Sequence, residues 1–270
     1  MSEVVSSLQN PRVMAARKLR RRAQRDAEGA YLLEGTVPVR EALAARAPVR
    51  VVFVAADHED VEAVTAEAAE AGASVVVGTR GVLEAVSDAT TPQGVVAIVE
   101  MRHVALGDVD ENVDLVLVLD QVRDPGNAGT LLRCASAAGA GAVVFTKGSV
   151  DPYAPKTVRA SAGLLDRVAV VRDADLDATV AELVRRGFAV VGTDAAAATA
   201  YDAVDYGGRA AFVVGNEAWG IVEEHRSLLT DVVAIPMPGD ADSLNAGIAG
   251  AILLFEAVRQ RRGRLGGTAE

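Results

Sequence analysis

From residue 113 onward the chain repeats one unit: a short, almost unbroken run of Val, Leu, Ile and Ala, a glycine- or proline-bearing junction, then a helical pattern. Such runs have no polar face, so they suit strands covered on both sides, as in a parallel sheet flanked by helices. Strands are predicted at 113–119, 142–146, 167–171, 188–192, 210–214 and 232–235, and helices at 128–138, 154–160, 176–186, 219–226 and 243–262. A smaller alternation fills the first hundred residues, with strands at 31–34, 49–55, 74–77 and 94–100 and helices at 38–46, 59–71 and 80–87. A helix over 11–28, with Pro11 in its first turn, precedes it. Residues 101–112 lose both apolar density and periodicity and read as a linker. The expected architecture is an α/β chain of two domains, residues 1–100 and 113–270.

With 270 residues, half of them apolar, the chain is long enough for two cores. Its longest apolar runs fall far short of the roughly 18 to 20 residues that cross a bilayer, and no apolar segment follows the N-terminal Arg cluster as in a secretory signal. A cytoplasmic protein with no membrane partner is expected. The single Cys134 supports neither an internal disulfide nor a cysteine metal site, and His58, His103 and His225 lack metal-ligand spacing. No metal is expected.

The net charge of −10 taken alone argues against a nucleic-acid partner. Its distribution argues the other way. Residues 12–25 hold seven cations (Arg12, Arg17, Lys18, Arg20, Arg21, Arg22, Arg25) and no acid, and residues 259–264 add four more (Arg259, Arg261, Arg262, Arg264). Residues 26–258 then carry 16 cations against 35 acids, a body of −19 with basic ends. Such asymmetry fits an arm that meets polyanions, or equally a solvated helix face.

Three strand-to-helix junctions carry polar residues where pure scaffold would need none, and in open α/β sheets ligands bind at those carboxyl ends. The first runs from Asp120 through Pro125, Gly126 and Asn127 to Arg133, with Asn127 suited to cap a helix and Arg133 nearly two turns on. The second is Val214-Gly215-Asn216-Glu217-Ala218-Trp219-Gly220, where Glu217 places a carboxylate near a helix start. The third leaves a strand at Ile235-Pro236-Met237-Pro238-Gly239 and reaches Ser243-Leu244-Asn245, with Ser243 or Asp242 as the expected N-cap of the long last helix. Each junction by itself is also explained as a capped helix. The glycines form neither a G-x-G-x-x-G nor a P-loop pattern, which disfavours a dinucleotide-dependent dehydrogenase.

Taken together and in this order, the patterns Asn127-x5-Arg133, Gly215-x-Glu217-x2-Gly220 and Ile235-Pro236-Met237 with Ser243-Leu244-Asn245 resemble the three motifs of the SpoU (TrmH-type) RNA 2′-O-ribose methyltransferases of the SPOUT class. Lesser echoes are residues 159–163 (RASAG) and Gly192-Thr193-Asp194. Asn10-Pro11, Leu33-Glu34-Gly35 and Thr91-Pro92-Gln93-Gly94-Val95 in the first hundred residues are similar to the L30e-like substrate-binding domain often fused to that family.

The resemblance implies a C-terminal trefoil knot that binds S-adenosylmethionine through Gly192, Thr193, Val214, Gly215, Ile235, Leu244 and Asn245. It implies catalysis by Arg133, supported by Asn127, Glu217, Ser243 and Asn245. A guanidinium is effectively always protonated, so Arg133 is expected chiefly to orient the ribose and a phosphate, with proton removal shared with that phosphate or needing an unusual environment. The seven cations of 12–25 would bind RNA, ribosomal rather than transfer RNA by the two-domain layout, and the protein would be a homodimer. The rival expectation is a non-catalytic RNA-binding protein of the same fold.

Overall fold

The computed structural model describes residues 4–266; residues 1–3 and 267–270, with Glu3, Glu270 and the outer ends of both predicted domains, lie outside the described residues. Contacts divide the chain into two compact units, Met1–Arg102 with Tyr153–Arg167, and His103–Pro152 with Val168–Glu270. No helix among the described residues is long and apolar enough to cross a membrane.

The first unit contains α1 (Pro11–Lys18), α2 (Arg22–Glu28), β1 (Ala30–Glu34), α3 (Thr36–Ala44), β2 (Val49–Ala55), α4 (Val61–Glu70), β3 (Ser74–Gly78), α5 (Arg80–Val86) and β4 (Val95–Glu100). Its sheet has the order β1-β4-β2-β3, with β2 and β3 parallel and β4 antiparallel to both its neighbours. Val13, Ala16 and Leu19 pack with Val82, Leu83 and Val86 of α5 on Phe53, Val96 and Ile98. The single helix expected over 11–28 is instead two, because Arg21 adopts extended backbone at the start of α2.

The rest of the chain adds β5 (Leu115–Leu119), α6 (Pro125–Ala137), β6 (Ala142–Thr146), α7 (Pro155–Ala160), β7 (Ala169–Ala174), α8 (Leu176–Arg185), β8 (Ala189–Thr193), β9 (Thr199–Ala200), β10 (Ala210–Val214), α9 (Glu223–Arg226), β11 (Asp231–Ala234) and α10 (Ala246–Gly266). Seven strands form one parallel sheet in the order β7-β6-β5-β10-β8-β11-β9. Its β5, β6 and β10 are buried along their whole length, as unbroken apolar runs require. Val116, Val118, Val144, Val190 and Val213 meet Leu176, Val180 and Leu183 of α8 on one face. On the other, α10 packs on α6 and β10, and Gly250 leaves room for Leu131 and Val214.

Two segments depart from the sequence boundaries. Residues 153–167, expected inside the second domain, pack with the first unit: the Tyr153 ring lies 5.2 Å from that of Tyr31, and Tyr31 Oη donates to Asp166 Oδ2 at 2.5 Å. Burial pushes the Asp166 carboxyl up, opposed by the Tyr31 hydrogen bond and the charge of Arg102. Gly163, at φ 85°, sits against the Pro38 backbone, so the 159–163 echo belongs to the first unit and not to a cofactor loop. Helical periodicity shows that α7 forms but not which core receives it. Residues 103–112 belong to the second unit, where the Arg186 guanidinium donates to the carbonyls of Val109 and Asp110 and Val104 N donates to Val170 O.

Candidate active site

A cleft of about 520 Å³ opens at the carboxyl ends of β8, β10 and β11, lined by residues of all three polar junctions: Asn127; Val214 to Gly220; and Ile235, Met237 and Ser243 to Ala246. Thr193, Asp194 and Ala195 complete the wall beyond β8.

Hydrogen bonds join the three junctions into one network. Glu217 Oε1 accepts from Asn127 Nδ2 at 3.1 Å and from the Asp124 backbone at 3.0 Å, while its Oε2 accepts from the Arg123 backbone at 3.1 Å. Asn127 Oδ1 accepts from Asn245 Nδ2 at 2.8 Å, and Asn245 Oδ1 accepts from the Gly247 and Ile248 backbone at 2.9 and 3.3 Å. Residues 90 and 118 positions away in sequence are thus held on Asn127. Burial pushes the Glu217 carboxyl up, but the Arg123, Asn127 and Asp124 donors together hold it below the usual glutamate value. A depressed value means that this network contributes stability above the ordinary glutamate pKa of about 4.3 and loses it as pH falls through the lowered one.

The caps differ from those expected. Pro125 takes the first helical position of α6, where its missing N–H costs nothing, so the cap falls on Asp124, which accepts from Asn127 N at 2.8 Å. The Asn127 side chain is thereby free to bind Glu217 and Asn245. The last helix is capped by Asn245, one of the network residues, and not by Ser243 or Asp242. Ser243 and Leu244 stay exposed on the loop that walls the cleft.

The helix expected over 219–226 is reduced to α9. Asn216 and Gly220 exchange two backbone hydrogen bonds of 3.0 and 2.8 Å across a tight turn, with Gly220 at φ 67°. A Cβ on Gly215 would lie 2.4 Å from the Gly220 carbonyl carbon, so the clearance that Gly215 provides serves this turn. Gly192 does not line the cleft, because its open side is filled by Leu229 and Ile221. Arg133 does not line it either. Six residues along a helix is a rotation of about 240° from Asn127, and Arg133 is exposed without a hydrogen bond or ion pair among the described residues.

In the layer beneath the network, Asp120, Thr146 and Asn216 are marked in sequence only by their place at a strand end, and His225 by nothing. Buried Asp120 lies 2.7 Å from His225 Nδ1 and accepts from Thr146 Oγ1 at 3.1 Å; Thr146 Oγ1 in turn accepts from Gln121 N. Buried Asn216 donates to Gln121 O at 2.8 Å. Together they pin the loop whose amides grip Glu217.

The cationic arm needs correction. Arg25 is buried and donates to the Leu19 and Arg20 carbonyls at 3.1 and 3.0 Å, which its place between α1 and α2 demands. Arg20 donates to Ala85 O at 2.8 Å and to Ser87 O, satisfying the open carbonyls at the end of α5. Arg22 pairs with Asp26 at 3.6 Å. Arg20 and Arg22 are exposed despite these contacts, as are Arg12, Arg17, Lys18 and Arg21. At the other end, Arg259, Arg261 and Arg264 pair with Glu256, Asp114 and Asp205.

A parallel sheet with a polar cleft at its carboxyl edge is the frame of a small-molecule-binding α/β domain. Known proteins specify it further. Residues 114–255 match the SpoU rRNA Methylase family, and residues 10–97 match the MRM3-like substrate binding domain. A 23S rRNA (guanosine-2′-O-)-methyltransferase, RlmB of Bordetella pertussis, is 38% identical over 186 residues, 67% of this chain and 76% of that protein. An uncharacterized tRNA/rRNA methyltransferase of Mycobacterium tuberculosis is 32% identical over 262 residues, 94% of this chain and 81% of the other. An AdoMet-bound rRNA methyltransferase from Sinorhizobium meliloti superposes with a TM-score of 0.81 at 32% identity, covering 95% of this chain and 97% of that one. The SpoU methyltransferase AviRb from Streptomyces viridochromogenes, in complex with AdoMet, gives a TM-score of 0.83 at 29% identity, covering 94% and 99%. The chain belongs to the SpoU rRNA methylase family, and is thus an RNA methyltransferase with a SPOUT-type α/β domain.

Proposed function

We propose that the protein transfers a methyl group from S-adenosylmethionine to the 2′-hydroxyl of a ribose in ribosomal RNA, with a guanosine of 23S rRNA as the favoured target. The observation that carries this reading is the Glu217–Asn127–Asn245 network, which makes three separate motifs one cleft. The RlmB likeness supports the 23S target, and transfer RNA is the second choice. The cleft fits the cofactor: its volume of about 520 Å³ lies in the range of ligand sites, and its walls alternate apolar strand ends with loop polar groups.

S-adenosylmethionine supplies an electrophilic methyl group. Thr193, Val214, Gly215, Ile235 and Leu244 would hold the cofactor, largely through backbone groups, while Asn245 holds its methionine end. Arg133 would orient the 2′-hydroxyl and the neighbouring phosphate, the hydroxyl proton being shared with that phosphate as the oxygen–methyl bond forms and the methyl–sulfur bond breaks, its electron pair leaving on sulfur. Holding nucleophile and methyl group in line supplies several kcal/mol of barrier lowering. Asn127, Glu217 and Ser243 position the ribose.

Since Arg133 stands outside the cleft of its own chain, the reading includes a homodimer in which each Arg133 serves the partner's cleft. The exposed Ile248 and Phe255 of α10 offer apolar surface for that pairing. The knot expected of this fold is supported by β8 lying between β10 and β11 while α10 returns onto α6. A cytoplasmic location follows from the substrate. Mapping 2′-O-methylation on total RNA from cells with and without the gene tests the whole reading; a map with no site that disappears with the gene overturns it.

The first unit would supply RNA affinity through Arg12, Arg17, Lys18 and Arg21. Deleting residues 1–28 is not a clean test, because Val13, Ala16 and Leu19 belong to the core. Replacing Arg12, Arg17, Lys18 and Arg21 by Gln should instead make the slope of log K against log salt shallower by about three, with cofactor affinity unchanged. A titration of RNA binding over a series of salt concentrations reads this directly.

A further inference from the structure

Trp219, on the rim of the cleft, is the only tryptophan of the chain and is 48% exposed. The fold does not ask for it: the turn that carries it is closed by backbone bonds between Asn216 and Gly220, and an indole left half in water stabilises little. The Arg123 guanidinium lies 5.0 Å from the ring centroid and covers one face of the indole. Arg123 has no side-chain hydrogen bond or ion pair among the described residues, yet its backbone N–H is fixed on Glu217. The pair is therefore held at the network, with Arg123 exposed and about half of Trp219 open at the rim of the cleft.

We propose that Trp219 and Arg123 form a nucleotide clamp for the RNA substrate, with a nucleobase stacked on the free indole surface and an adjoining phosphate held by the guanidinium. This rests on the RNA-methyltransferase reading above and adds to it two specificity-determining residues. Every base offers a π-face to an aromatic platform, and a fork of N–H donors suits a phosphate. Charge selects RNA over the cofactor's adenine as the occupant. S-adenosylmethionine carries a sulfonium cation, which a neighbouring guanidinium disfavours, whereas a polyanion is attracted.

Because the chain has one tryptophan, its emission reports on this residue alone. The test titrates the full-length protein with a short mixed-sequence oligoribonucleotide, with the same oligomer made abasic, and with S-adenosylmethionine alone. Strong quenching is expected from the oligoribonucleotide, and little from the abasic oligomer or the cofactor. Equal quenching by the abasic oligomer, quenching by the cofactor to which RNA adds nothing, or no change with RNA at any concentration overturns the clamp. Trp219→Ala should raise KM for ribosomal RNA from cells lacking the gene by roughly ten- to a hundredfold, with a much smaller change in kcat and an S-adenosylmethionine affinity close to that of the unaltered protein. Trp219→Phe should restore most of the loss, and Arg123→Gln should weaken RNA binding chiefly at low salt. An unchanged KM in Trp219→Ala sinks the clamp alone. Failure of the unaltered protein to bind S-adenosylmethionine or to methylate RNA sinks the underlying reading instead, while the fluorescence titration still decides whether RNA stacks on Trp219.

Discussion

Arg133→Ala should reduce methyl transfer by on the order of 10²-fold or more, the scale for losing a group that orients the nucleophile, while S-adenosylmethionine binding stays near normal. The cofactor affinity is spared because Arg133 makes no hydrogen bond to the network and does not line the cleft. The same geometry makes a sharper test possible. If each Arg133 serves the partner's cleft, mixing inactive Arg133→Ala protein with inactive Asn245→Ala protein forms heterodimers in which one of the two sites is intact. Random exchange of subunits then restores about a quarter of the unaltered activity in a twofold-symmetric dimer. If Arg133 instead acts within its own chain, every site in the mixture carries a lesion and no activity returns. Retained turnover in Arg133→Ala alone would remove the residue from the mechanism altogether.

Gly215→Ala is the second large effect. The added Cβ would meet the carbonyl carbon, the carbonyl oxygen and the next amide nitrogen of Gly220–Ile221 at 2.4, 2.5 and 2.6 Å, and none of these is the end of a flexible side chain. Either the turn moves or β10 does. Overpacking of this kind costs about 1 to 3 kcal/mol of stability. The larger loss is in activity, because the turn carries Glu217, and a shift of about 1 Å at such a position costs on the order of a hundredfold in rate. Thermal unfolding and methyl-transfer rates measured on the same preparation separate the two effects. Gly220 gives the control: at φ 67° with open space around it, Gly220→Asn should cost far less, since Asn tolerates the left-handed region. A Gly215→Ala protein with unaltered turnover would show that the turn has room to rearrange.

Much of the molecule was legible in its residue order. Strands 49–55, 142–146 and 210–214 were delimited to the residue, because β-branched runs bounded by breakers leave little freedom of register. The cleft was legible as three polar junctions. Their interplay was not: residue type suits Asn127 to a cap, whereas Pro125 pushes the cap to Asp124 and frees the Asn127 amide. The helix expected over 219–226 forms only at Glu223–Arg226, because composition cannot reveal a backbone bridge such as Asn216 to Gly220. The seven cations of 12–25 are one run in sequence, but burial separates Arg25 and the α5 carbonyls engage Arg20.

The sequence by itself determined the kinds of element, their alternation, the parallel character of the second sheet and the identity of the motif residues, since these depend on local periodicity and on side-chain chemistry. Only the tertiary structure decided which of those residues touch. Asn127 meets Glu217 and Asn245 because β5 and β10 are neighbours and α10 packs back on α6, a matter of strand order and not of spacing along the chain. It also decided that residues 153–167 join the first unit and that Arg133 stands outside its own cleft. Periodicity prescribes which face of an element is apolar, but the partner that covers that face is chosen by the whole fold.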